Sequence, residues 1–133
     1  MKPWVRSAVA IVVGFLVTAV ASLATDAVMH ATRIFPSSPQ AISDPLFMLA
    51  SGYRALFTIA GGFVTARLAP DRPMRHVWIL AGIGVVAGLA GVAIYFLVGR
   101  AHLGPAWYPI SIAVEALPCV WFGGRLAAGL RGR

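Results

Sequence analysis

Two charged residues, Arg54 and Glu115, stand alone inside long uncharged runs, and they are where chemistry could reside. Residues 45–66 carry no other charge than Arg54, and residues 103–124 none but Glu115. A lone charge at the centre of a bilayer costs about 2.5–3.5 kcal/mol on insertion scales. Counted from the loop-side ends of their expected helices, each lies about 13–15 Å deep at ~1.5 Å of rise per residue. Matching depth predicts an Arg54–Glu115 ion pair. That pair is either a structural lock between two helices or a site for a proton, a cation or a polar solute; snorkelling of the arginine is the third reading. Pro118, three residues on, withdraws a backbone donor and should kink its helix.

A second group gathers near the same side. Asp26 and His30 are one helical turn apart, and His102 falls in a connection facing the same way. Such residues could bind a divalent metal or carry a proton. A solvated rim, with Asp26 bridged to Arg33 or Arg100, is the plainer expectation, and no metal or cofactor is assigned. The single Cys119 excludes an intrachain disulfide framework. No nucleophile–base arrangement is recognisable, so the chain is expected not to be an enzyme.

The stretch GGFVTARLAPDRPMRH, residues 61–76, looks most like a motif. It lacks both the G-x-x-x-x-G-K-[ST] spacing of a P-loop and the G-x-G-x-x-G of a dinucleotide turn. Gly61 and Gly62 instead belong inside a helix, where they permit close approach. Arg67, Arg72 and Arg75 fall where headgroups anchor a chain and attract anionic lipid. Pro70 and Pro73 mark a turn, Asp71 is placed to cap the helix that follows, and His76 reads as interfacial.

The elements that must position these residues follow from composition. The chain has 133 residues, 59% hydrophobic and only 11% charged, with a mean hydropathy of +0.84. A soluble domain carries about 25% charged residues, so lipid is the expected solvent. Residues 7–25 and 76–99 are uncharged, each close to the ~20 residues needed to span a bilayer. Four transmembrane helices are predicted at about 5–29, 46–68, 76–98 and 105–127, in a single membrane domain over residues 1–133. A cleaved signal peptide ending near Ala24 is the alternative for the first. Its apolar run, however, exceeds the usual 7–15 residues.

The net charge of +7 would suggest nucleic acid in a soluble protein. Here eight of the eleven basic residues fall on one side of the expected helices, with only Arg33, Arg54 and Arg100 on or toward the other. That is the positive-inside bias, which explains the charge without nucleic acid and predicts both termini in the cytoplasm. Aromatics support the same frame: Trp4, Trp78 and Trp121 toward the cytoplasmic ends, and Phe47, Tyr53, Tyr95, Trp107 and Tyr108 toward the outer ends. Small or polar seams run along every helix, including Gly14, Thr18 and Ser22, then Gly61 and Thr65, then Gly84, Gly88 and Gly91. Packing of small residues and interhelical hydrogen bonds hold bundles together in lipid. The seams therefore predict an all-α four-helix bundle with the seams inward, or with the third helix's seam facing a second protomer.

The run AGGFVTARLAPDRPMRHVWILAGIG (residues 60–84), with GPAWYP (104–109) and WFGGRL (121–126), resembles small bacterial four-helix inner-membrane proteins of no assigned activity. The resemblance covers about a third of the chain. It implies the same architecture and brings no catalytic residues. A buried acid among four helices also resembles the small multidrug-resistance exporters, which keep their membrane glutamate in the first helix rather than the fourth. The expected function is thus a non-enzymatic multi-pass component of the cell inner membrane, packing with lipid, with a second copy or within a larger membrane complex. The alternative is a small proton- or cation-coupled transporter or channel using Glu115 and Arg54.

Overall fold

A computed structural model describes residues 1–38, 42–98 and 104–133. They form four helices: α1 (Pro3–Ala31), α2 (Asp44–Leu68), α3 (Pro73–Val98) and α4 (Trp107–Arg131). All four are long and apolar enough to cross a membrane. The fold is an all-α bundle whose helices alternate in direction, so both termini lie at one end, the terminal end, opposite the loop end.

Helix limits differ from expectation where proline or a side-chain contact intervenes. Helix α3 starts at Pro73 rather than 76, and α1 at Pro3. Proline has no N–H to leave unpaired and its φ suits the first helical position. Arg72, at φ 35°, holds the position before Pro73 that Asp71 was expected to take as cap. Helix α4 continues to Arg131, past the expected end at 127. There the Arg131 guanidinium donates through Nη1 to the Ala66 and Ala69 carbonyls at 2.9 and 3.0 Å. These are among the carbonyls that a helix end leaves open. Arg131→Met should cost about 1 kcal/mol, read as faster amide exchange in the last turn of α4. Pro118 lies inside α4, which stays helical through it; the carbonyl that loses its donor is that of Val114, four residues back.

Lateral order is not chain order. Helix α2 packs on α1 and α4, and α4 packs on α2 and α3, whereas α2 and α3 share little despite their tight connection. Two glycine pairs explain why the two central helices can each take two neighbours. A Cβ on Gly61 would lie 2.7 Å from the Gly14 carbonyl of α1, and one on Gly62 would lie 2.2 Å from the Val120 carbonyl of α4. In α4, a Cβ on Gly123 would meet the Ile59 carbonyl of α2 at 1.9 Å, and one on Gly124 would meet Val77 of α3 at 2.5 Å. Adjacent helix positions point about 100° apart, so each pair opens two faces at one level. The α3 seam also lies within the bundle: Gly84 faces Ala116 and Gly88 faces Ala113, both on α4. Gly91 faces open space.

Two apolar clusters stack along the bundle. One joins Ala66, Val77, Leu80, Ala81, Val120 and Ala127 toward the terminal end, and the other joins Phe35, Ala50 and Tyr53 toward the loop end. Trp4, Trp78 and Trp121 are exposed, as an interfacial belt would have them. At the loop end, by contrast, Phe47, Tyr53 and Tyr95 are buried. Phe47 packs against Tyr108 with ring centroids 4.9 Å apart, and Tyr95 donates to the Gly104 carbonyl at 2.7 Å. These aromatics fill the bundle where no glycine pair draws the helices together.

Candidate functional site

The polar groups within the apolar runs assemble at the α1–α2–α4 junction. Arg54 pairs through Nη2 with Oδ2 of Asp26 on α1, and the Tyr53 hydroxyl donates to Oδ1 of the same carboxylate. The expected Arg54–Glu115 pair is therefore corrected. Asp26 sits five residues before the end of α1, nearer the loop end than Arg54, and α1 lies along α2. The long arginine stem can bridge that difference in depth. Asp26 then has a donor on each oxygen, which Glu115 is not placed to match.

Glu115 takes a different partner. The Ser51 hydroxyl donates to its Oε2 at 3.0 Å. Ser51 also lies 3.3 Å from the Ser111 hydroxyl, which donates to the Tyr108 carbonyl at 2.7 Å. Two buried atoms in this cluster have no hydrogen-bond partner among the described residues: Nε of Arg54 and Oε1 of Glu115. Nε of Arg54 is thus an unused donor and Oε1 of Glu115 an unused acceptor among the described residues. Ser51→Ala should leave both Glu115 oxygens unpartnered and cost about 1–3 kcal/mol. Adding Glu115→Leu should recover most of that loss in a detergent unfolding titration, because the acceptor then goes too.

Among the described residues, Asp26 and His30 of the outer-rim group do not form a ligand set. Asp26 is taken by Arg54 and Tyr53, while His30 is exposed, with Nδ1 2.8 Å from the Asp26 carbonyl oxygen and its ring edge-on to Phe35. His102 and Arg100 lie outside the described residues. Among the described residues no three His, Cys, Asp or Glu side chains converge as a metal site would need. At the terminal end Arg67, Arg72 and Arg75 are exposed. His76, read as interfacial, is buried instead. Its Nε2 lies 2.8 Å from the Ser7 hydroxyl of α1, and its Nδ1 lies 3.3 Å from the Arg72 carbonyl.

Sequence reasoning missed three members of the cluster as site residues: Tyr53, Ser51 and Ser111. Tyr53 and Arg54 are adjacent in α2, and Ser51 precedes Arg54 by about one turn. A polar triplet at i, i+2 and i+3 in an apolar run was the available signal. Compared with known protein families, characterised proteins and solved structures, the chain gives no match.

Proposed function

We propose that the chain is a non-enzymatic multi-pass protein of a bacterial inner membrane, with both termini in the cytoplasm, acting as a structural or accessory component that packs with partners or lipid. The resemblance of residues 60–84 to small bacterial four-helix membrane proteins belongs to this proposal. The observation that carries it is how the intramembrane polar groups are used. Asp26, Arg54 and Tyr53 tie α1 to α2; Ser51 and Glu115 tie α2 to α4; Thr18 and Thr65 donate across the α1–α2 crossing, to the Phe57 and Ala10 carbonyls. Groups committed to holding helices together serve assembly rather than turnover. The orientation rests on the basic residues gathered at the terminal end.

Native mass spectrometry on protein extracted mildly from its own membrane tests the reading. A stoichiometric protein or lipid companion supports an accessory role; a bare homodimer active in flux assays overturns it. Orientation is tested by impermeant thiol labelling of Ser37→Cys and Asp71→Cys, each in a Cys119→Ser background. The first should react from outside and the second only after lysis.

One observation favours a second reading. The unpartnered Oε1 of Glu115 is what a proton- or cation-coupled transporter would need at its coupling site. Glu115→Gln would then abolish flux in proteoliposomes while leaving the fold intact.

A further inference from the structure

Three oxygens at the α2–α4 contact are left without a proton to meet them. A serine hydroxyl has one proton to donate. That of Ser51 goes to Oε2 of Glu115 at 3.0 Å, and that of Ser111 goes to the Tyr108 carbonyl at 2.7 Å. The two hydroxyl oxygens nevertheless stand 3.3 Å apart, so their lone pairs face each other with no proton left for the contact. Oε1 of Glu115, on the same carboxylate and buried, has no donor among the described residues. From this geometry we infer that Ser51, Ser111 and Glu115 form a binding site for one sodium ion. The inference rests on the coupled-transport reading of Glu115 above and names its ion.

Charge selects the occupant. The junction holds two carboxylates, Asp26 and Glu115, against one guanidinium, Arg54. Arg54 is committed to Asp26, which leaves Glu115 as an uncompensated negative charge in an apolar run. Such a charge is costly. A monovalent cation cancels it, whereas a water cannot and a divalent ion overshoots. An anion drawn to the unused Nε of Arg54 would add to the excess. Carboxylate and hydroxyl oxygens are also hard donors, which suit hard cations rather than transition metals. Sodium is close in size to calcium, which takes its oxygens at about 2.3–2.6 Å. Two oxygens 3.3 Å apart can both reach one ion at such a distance. The helices place the set: Tyr108, Ser111 and Glu115 recur at i, i+3 and i+7 along one face of α4, and α2 brings Ser51 against that face.

The test measures binding of radioactive sodium to the purified full chain in micelles by scintillation proximity. Saturable binding of one ion per chain is expected, competed by unlabelled sodium chloride and not by choline chloride at equal ionic strength. Glu115→Gln keeps an oxygen for the Ser51 hydroxyl but loses the charge, and should abolish binding. Ser111→Ala should weaken it about tenfold. Circular dichroism checks that both variants are folded. The unfolding midpoint of the unmodified chain should rise with sodium concentration, as binding to the native state alone requires, and stay flat in Glu115→Gln. No saturable binding to the folded unmodified chain would overturn the site, as would binding that survives Glu115→Gln. A midpoint that follows pH identically in sodium and in choline would give the position to a proton and overturn it too. Flux in proteoliposomes separates this inference from the reading beneath it. Proton flux that needs Glu115, without sodium binding, ends the sodium site and leaves coupled transport standing. Sodium binding with no flux of either ion keeps the site and ends coupled transport.

Discussion

Reversing the Asp26–Arg54 pair, as Asp26→Arg with Arg54→Asp, should recover most of the stability that either single substitution loses. Arg54→Met leaves Asp26 with Tyr53 alone and an uncompensated charge in a half-buried position. Breaking a buried pair by removing one partner costs about 3–5 kcal/mol. The two side chains keep 25% and 24% of their exposure, which places the loss near the lower bound. The parallel exchange, Arg54→Glu with Glu115→Arg, should fall no less than its worse single variant, because Glu115 is held by Ser51 and not by Arg54. Unfolding midpoints in mixed micelles, followed by circular dichroism, separate the two exchanges. Equal rescue by both would mean that Arg54 is shared between the acids; rescue by the Glu115 exchange alone would return the pairing to the one read from depth.

Adding one methyl group at Gly62 or Gly123 should unseat α4 from α2. The added carbon would stand 2.2 Å from the Val120 carbonyl oxygen in the first case and 1.9 Å from the Ile59 carbonyl oxygen in the second. Both obstacles are backbone, so no rotamer change relieves them and the helices must separate. Overpacking of this kind costs about 1–3 kcal/mol, and lost interhelical dispersion adds to it. Gly52→Ala, Gly82→Ala and Gly129→Ala meet nothing within 4 Å. There the alanine should stabilise by about 0.5–1 kcal/mol through helix propensity alone. The same unfolding titration ranks the five variants. A uniform response across them would refute the close-approach role of the glycine pairs.

These two experiments mark where reading the chain alone succeeds and where it stops. Both central glycine pairs are visible in the sequence, and so is their place inside helices. That Gly61 serves α1 while Gly62 serves α4 is not visible, because it depends on which helices stand on either side. Arg54 is as plainly a lone cation inside an apolar run. Its partner was misread because depth was counted along helix axes, and an arginine stem spans a full turn of depth. His76 shows the same limit: a histidine at a helix start reads as interfacial until a serine from another helix is found beside it.

What the sequence by itself determined is the set of four helices, their approximate ends, and the gathering of basic residues at one end. Each follows from local properties: uncharged runs of spanning length, proline and polar punctuation, and charge counted between runs. What only the tertiary structure decided is the lateral order, with α4 lying between α2 and α3. From that order follow the choice of Asp26 over Glu115 and the burial of the loop-end aromatics. Helix formation satisfies each backbone within its own segment and is written locally. Neighbour choice is made by close approach at a few glycines and by side-chain reach across helices, which no single segment encodes.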